Sequence, residues 1–183
     1  MIDARSELRR VVSAIVPVDA REEADVTDTL AWINSGAPLW RTAKPATPPK
    51  HLVSYFLFLD GEHVLLVDHI NAELWLPAGG HVEPGEHPWA TVRREAREEL
   101  GIECGPEPGQ PLFLTVTQTV GRTAGHTDVS LWYVLGGDRS AVLSWDAGEF
   151  QSIAWFHRDR VPMHRTDPHM ARFLGKLALQ KEG

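Results

Sequence analysis

A single cysteine, Cys104, excludes an internal disulfide, and no cysteine cluster exists from which to build a zinc site. A reducing interior suits such a chain. Long hydrophobic runs are missing too: the most apolar stretches, around Tyr55 to Leu59 and Val64 to Val67, fall far short of the roughly 20 residues a membrane helix needs. The opening MIDARSELRRVVSAIV mixes charges through its length and has no apolar core ending in a small-residue cleavage site, so no secretory signal is expected. Positive charge is also scarce. Eighteen Lys and Arg stand against 25 Asp and Glu, a net charge of −7 and the wrong sign for a general electrostatic grip on nucleic acid. No internal repeat or low-complexity tract appears. The expectation is a cytoplasmic protein with neither a nucleic-acid nor a membrane partner.

What is present fits a folded domain. Hydrophobic residues at 43% and charged residues at 23% lie near the globular norm, and 183 residues suffice to bury a core. In residues 1–35, Leu8, Val11, Val12 and Ile15 recur at helical spacing, Pro17 interrupts, and Val26, Leu30 and Ile33 resume the pattern. Two short helices are predicted. Residues 36–50, GAPLWRTAKPATPPK, hold four prolines and read as a linker, so a boundary is expected near Lys50. Residues 1–50 then form a helical extension and 51–183 the main domain. The extension's amphipathic helices could cover one face of that domain, build a homodimer interface, or overhang a pocket.

Beyond the boundary the period changes. HLVSYFLFL and HVLLVDH, separated by Asp60-Gly61, predict two strands joined by a tight hairpin. A Gly/Pro-rich stretch, LPAGGHVEPGEHP, opens a helix from Trp89 to Leu100 that stops at Gly101. PLFLTVTQTV, HTDVSLWYVLGG and QSIAWF predict three more strands, and residues 168–181 a closing helix.

The central helix carries the unusual chemistry. Trp89, Val92, Ala96 and Leu100 fall in one arc that should face the sheet. Glu95, Glu98 and Glu99, at i, i+3 and i+4, adjoin that stripe instead of opposing it, so three like charges share a flank near the core. Arg94 can pair with Glu98 one turn on, but one guanidinium cannot neutralise three carboxylates. A divalent cation is the natural complement. Hard oxygen ligands without a convergent His or Cys set favour Mg²⁺ or Mn²⁺ over zinc, and the Ala78-Gly79-Gly80 entry could bring a backbone carbonyl to the same point. Glu-rich helices are also common as solvated faces, so the three glutamates alone do not decide.

The whole string from Gly80 to Ile102, GHVEPGEHPWATVRREAREELGI, does. It resembles the box of the Nudix hydrolases: Gly, five residues, Glu, seven residues, Arg-Glu, an aliphatic or small residue, any residue, Glu-Glu, any residue, Gly, then an aliphatic. Gly80, Glu86, Arg94, Glu95, Ala96, Glu98, Glu99, Gly101 and Ile102 fill every fixed position. At average residue frequencies, seven fixed identities coincide at roughly one in 10⁸ starting points. The resemblance implies an α/β/α sandwich with a mixed sheet; the helices expected in residues 1–50 lie outside it and extend it at the N-terminus. It also implies metal-dependent hydrolysis of a nucleoside diphosphate linked to another moiety, a small-molecule nucleotide substrate, and Mg²⁺ or Mn²⁺ as cofactor.

By motif position, the resemblance implies Glu95, Glu98 and Glu99 as metal ligands, with the Gly80 carbonyl a fourth. It gives Glu86 and Arg94 as a pair bracing the loop against the helix. Members of the family take their general base from the box or from a later loop, and Glu149 in SWDAGEFQSIAWF is the later-loop candidate. Gly79 and Gly80 are expected to line the substrate site. Trp75 and Trp132 could stack on a nucleobase, although burial in the core is the commoner fate of tryptophan. His63, His69, His81 and His87 show no zinc-type spacing, so surface or loop roles are expected, with His81 and His87 placed to meet a phosphate.

Substrate signatures are missing. There is no proline at the distance after the box typical of ADP-ribose hydrolases, no tyrosine where diadenosine polyphosphate hydrolases tend to carry one, and no SQPWPFPxS string. Two alternatives stand beside the leading reading: a house-cleaning hydrolase of oxidised or non-standard nucleoside triphosphates, and a non-catalytic nucleotide-binding module on the same fold.

Overall fold

The computed structural model describes residues 3–44, 47–106, 109–119 and 125–180. The chain opens with two helices, α1 (Ala4–Ser13) and α2 (Ala20–Asn34), each started by an aspartate. Asp3 accepts from the backbone N–H groups of Arg5 and Ser6, and Asp19 from that of Glu22, satisfying donors that the first turn leaves without partners. Strands β1 (Lys50–Asp60), β2 (His63–His69), β3 (Leu74–Leu76) and β4 (Ala78–His81) precede helix α3 (Pro88–Leu100). Then come β5 (Phe113–Gln118), β6 (Thr127–Gly136), β7 (Phe150–His157) and helix α4 (Met170–Leu179). Among the described residues no helix is long and apolar enough to cross a membrane.

Among the described residues, the seven strands join one mixed sheet with the path β3-β2-β1-β6-β5, to which β4 adds by pairing with β1 and β7 by pairing with β2. The β1–β6 ladder is parallel, from Lys50 opposite Thr127 to Leu59 opposite Gly136, and the other ladders are antiparallel. Lying at the centre, β1 is covered on both faces, which is why it reads as a nearly continuous apolar run. Its side chains alternate with the period of the pleat. Phe56 and Phe58 enter one core cluster and Leu57 the other, just as Leu131 and Tyr133 are divided from Trp132 on β6.

The first cluster takes in Val92, Ala96 and Leu100 of α3 together with Leu8, Val11 and Val12 of α1 and Val26 and Ile33 of α2. The second holds Met170, Phe173, Leu174 and Leu177 of α4. Helices therefore flank both faces of the sheet, the α/β/α layering that the sequence motif implies. The N-terminal helices are part of the core on the α3 side, which fits the covering role among the uses foreseen for residues 1–50. Arg5 fixes their crossing by donating to the carbonyls of Ile33 at 2.5 Å and Ala37 at 2.7 Å, at the end of α2.

Two ion pairs then tie α2 to α4. Arg172 grips Asp19 with 2.6 and 2.8 Å bonds. Lys176 donates to Glu22 at 2.5 Å, and Glu22 also accepts from the backbone N–H groups of Val18 and Leu114. Glu22 is fully buried and Lys176 nearly so.

Asp167 opens the turn into α4, accepting from the His169 backbone N–H at 2.7 Å. Burial pushes its carboxyl up to about 6 against the opposing pull of that hydrogen bond. A group whose folded value lies above its unfolded one contributes stability that is complete at low pH and lost as pH rises through the folded value. Asp167→Asn keeps the acceptor and removes the ionisation. It should leave thermal stability near pH 4 almost unchanged and raise it at pH 8 by on the order of 1–2 kcal/mol relative to wild type. An unfolding series across that range checks this, and a difference independent of pH would contradict it.

Candidate active site

The entry to α3 is built on close backbone approach. The sequence reading treats Ala78-Gly79-Gly80 as loop, whereas the structure makes it strand β4, paired with Val53–Phe56 of β1. Gly79 has φ +143°, and a Cβ there would lie 2.1 Å from the Ser54 carbonyl oxygen. At Gly80 a Cβ would lie 2.0 Å from Glu95 Oε1, so the glutamate carboxyl rests directly on the glycine. Only glycine permits either contact.

Helix α3 begins at His87, whose Nδ1 accepts from the Trp89 N–H, with Pro88 in the first turn where its missing N–H costs nothing. It ends at Gly101 in the left-handed region, with φ +67°. The Gly101 and Ile102 N–H groups close back on the carbonyls of Arg97 and Ala96. Val92, Ala96 and Leu100 face the sheet, as their spacing predicts. That docking turns Glu95 and Glu99 inward and leaves Glu98 facing solvent.

Arg94 is the hub of the loop and helix. It donates to Glu86 from Nε and Nη2, both at 3.1 Å, to Glu95 at 2.6 Å and to the His81 carbonyl at 3.2 Å, and lies 3.5 Å from Glu98. Glu86 also accepts from the Thr91 hydroxyl and the Glu83 N–H. Although burial alone would raise the Glu86 carboxyl, these donors hold it below the usual range. The pair braces the loop on the helix.

Glu99 accepts from the Gly79 N–H at 3.1 Å and is 5% exposed. Burial first, then the charges of Glu95 and Glu149, push it up to about 9. Burial also raises Glu95, against the pull of Arg94. Glu149 reaches this group because the segment before β7 docks on the end of α3, where the Asp146 N–H donates to the Glu99 carbonyl at 2.9 Å. Its own backbone is fixed by bonds to Asp146 and Ile70. Five carboxylates thus gather here, Glu86, Glu95 and Glu98 of them around the Arg94 guanidinium, and Glu99 is basic enough to hold a proton at neutral pH. Such an all-oxygen, charge-deficient set fits a hard divalent cation, which would take the place of that proton.

Glu86, Arg94, Glu95, Glu98, Glu99, Gly79, Gly80 and Glu149 therefore come together. The tryptophans do not join them. Trp132 is fully buried on the α4 side of the sheet, packed on Phe113, Phe173 and Tyr55, with its Nε1 donating to Thr115. It has no free face for a base, and the stacking role considered for it is withdrawn. Trp75 lies in the same cluster, edge-on to Phe156 and beneath the Arg165 guanidinium, so neither ring is offered to the carboxylates. His87 caps α3 and stands 3.7 Å from Glu7. Of the histidines named from the sequence, His81 meets two others, His51 and His126, and Asp128 beside β4. Their sequence separations gave no hint of this, because sheet register alone brings them together.

A family model described as the NUDIX domain matches residues 49–177. Among solved structures, the chain resembles the MutT NUDIX hydrolase from Burkholderia pseudomallei, at 21% identity and TM-score 0.59 over 69% of this chain and 97% of that one. It likewise resembles the MutT protein from Methanosarcina mazei Go1, at 18% identity and TM-score 0.58 over 74% and 97%. These likenesses concern the fold. Among curated proteins, the asymmetrical bis(5'-nucleosyl)-tetraphosphatase of Sus scrofa is 46% identical over 44 residues, 24% of this chain and 30% of that protein. The mouse enzyme of the same name matches to the same degree over 43 residues, so the alignment spans less than a third of either relative. With the family model spanning most of the chain and the motif folded as strand, loop and helix, the protein belongs to the Nudix hydrolase family.

Proposed function

We propose that this protein hydrolyses a phosphoanhydride bond in a nucleoside diphosphate linked to another moiety, with Mg²⁺ or Mn²⁺ as cofactor. The observation that carries this reading is Glu99, buried against Gly79 among Glu95, Glu98 and Glu149 and pushed up to about 9. A carboxyl held in that state has no evident structural use, and it suits a cation site. Glu95, Glu98 and Glu99, with the Gly80 carbonyl beside them, would hold the ion. When bound, the cation supplies charge neutralisation for the diphosphate and a lowered pKa for the attacking water. Arg94 keeps Glu95 and Glu98 oriented, and Glu86 keeps Arg94 in place.

Glu149 is the proposed base, since it is exposed to solvent yet close enough to Glu99 to raise it. Glu149→Gln should slow turnover by roughly 10²-fold while leaving Mg²⁺ affinity nearly intact. Near-wild-type turnover would remove Glu149 from the mechanism.

The substrate class is tested by turnover of the purified protein against nucleoside diphosphate sugars, dinucleoside polyphosphates and nucleoside triphosphates, each with Mg²⁺ or Mn²⁺ and with Glu98→Gln alongside. The short match to tetraphosphatases puts dinucleoside tetraphosphates on that panel. Metal-dependent release of two phosphate-bearing halves supports the proposal. Release of pyrophosphate or phosphate from triphosphates supports the house-cleaning alternative. No turnover with nucleotide binding intact would leave a binding module.

A further inference from the structure

We propose that His51, His81, His126 and Asp128 form a second metal site, distinct from the box carboxylates and suited to a zinc-class transition-metal ion. Three strands assemble it. His51 and Asp128 are directly opposed in the parallel β1–β6 ladder, His81 comes from the end of β4, and His126 immediately precedes β6. One ligand atom from each residue lies within 4.8 Å of every other. Four ligands on a tetrahedron with Zn–N and Zn–O bonds of about 2.0–2.1 Å stand about 3.3 Å apart. The Asp128 Oδ1 lies 3.2 Å from Nε2 of His51, 3.3 Å from Nε2 of His126 and 3.9 Å from Nε2 of His81. Two of these three edges already have tetrahedral length, and the third is within a small side-chain movement of it.

The hydrogen bonding points to a missing ligand. His51 is fully buried and its Nδ1 lies 2.8 Å from the Pro48 carbonyl, which can only accept, so Nδ1 carries a proton and, in the neutral ring, Nε2 presents a lone pair. That Nε2 makes no hydrogen bond, and neither does the buried Oδ1 of Asp128 that it faces at 3.2 Å. A proton on Nε2 or a metal ion between the two atoms relieves this contact, and only the metal ion also uses the Nε2 atoms of His81 and His126 that face the same oxygen. His126 follows the same pattern. Its Nδ1 is 3.3 Å from the Thr119 hydroxyl; with that hydroxyl donating to the His126 carbonyl, Nδ1 donates to it and Nε2 is left for the cluster. An imidazole whose far nitrogen is fixed by a backbone or hydroxyl oxygen is the usual support of a metal-bound histidine.

Three imidazoles and one carboxylate are the wrong donors for Mg²⁺ and the right ones for Zn²⁺. Four protein ligands would also close the coordination sphere, which makes this a structural clip holding β4 to β1 and β6 and not a second catalytic centre. The competing occupant is Arg41, whose Nη1 lies 3.1 Å from His81 Nε2 and would have to swing away as the ion enters.

Zn²⁺ and Co²⁺ titrations of the chelator-stripped 183-residue chain test the site. One equivalent of Co²⁺ should give the intense visible absorption of a tetrahedral complex and be displaced by Zn²⁺, and Zn²⁺ should raise the unfolding temperature. Glu98→Gln should retain the spectrum. His126→Ala and Asp128→Asn should each weaken Zn²⁺ binding at least tenfold, and Arg41→Ala should strengthen it. Circular dichroism of the metal-free variants separates lost ligation from lost fold, with His81→Asn standing in for any variant that fails to fold. The proposal is overturned if no tetrahedral Co²⁺ spectrum forms, or if binding is abolished by Glu98→Gln and indifferent to the histidine variants. The second result would place the ion at the box and leave Arg41 as the cluster's resident cation.

Discussion

Glu98→Gln should reduce turnover by at least 10²-fold with no measurable change in folding stability, because this glutamate is more than half exposed and, among the described residues, its charge is paired with Arg94 alone, at 3.5 Å. Glu99→Gln should lose activity to a similar extent, and its stability should move differently. In the metal-free protein, Glu99 has a folded value of about 9, far above that of an unfolded glutamate. The stability it contributes is therefore complete below about pH 4 and declines as pH rises toward 9. Glutamine cannot ionise. Metal-free Glu99→Gln should match wild type near pH 4 and exceed it at pH 8 by on the order of 2 kcal/mol, and saturating Mg²⁺ should abolish that advantage by stabilising only the wild type. Parallel thermal melts with and without Mg²⁺ read all of this. If Glu99→Gln were the less stable protein at pH 8 without metal, the carboxylate would be satisfied as it stands and the argument for a cation would fail.

Lys176→Met is expected to be the most destabilising of the single changes considered. It leaves the fully buried Glu22 carboxylate with only the backbone N–H groups of Val18 and Leu114 as donors. Removing one partner of a buried pair costs about 3–5 kcal/mol, which for a chain of this size lowers the melting temperature by roughly 10 °C. The methylenes of Lys176 also lie against the second core cluster, and its ammonium stands 5.6 Å from the Phe113 ring. Methionine keeps most of that packing, so the loss reports the charge. Adding Glu22→Gln should recover more than half of it, since the amide oxygen can still accept from one of the N–H groups. Chemical denaturation of the two single variants and the double one measures the coupling, and a Lys176→Met loss below about 1 kcal/mol would mean that water reaches Glu22.

What the sequence made legible was whatever depends on neighbours along the chain. Asp60-Gly61 fixed the β1–β2 hairpin, and the Val92, Ala96, Leu100 stripe with Gly101 fixed α3 and the side on which its glutamates stand. Strand β4 was not legible, since two of its four residues are glycine and what makes it a strand is its pairing with β1. Trp132 was ambiguous because alternation along β6 does not say which face of the sheet α4 covers. Glu149 could be named but not placed, for it depends on how residues 144–146 settle on the end of α3. The convergence of His51, His81, His126 and Asp128 was wholly hidden. A shift of one residue in the β1–β6 register would turn His51 and Asp128 to opposite faces.

The docking of α1 and α2 means that the stretch carrying the chemistry is shorter than the stretch that can stand alone. A fragment cut at residue 49, where the match to the family begins, would keep every carboxylate of the active site. It would also lay bare the wall that Leu8, Val11, Val12, Val26 and Ile33 cover and strand Lys176 without its carboxylate. Catalytic inheritance and folding autonomy have different borders in this chain, and recombinant versions trimmed to the shared region should accumulate as aggregates despite an intact motif.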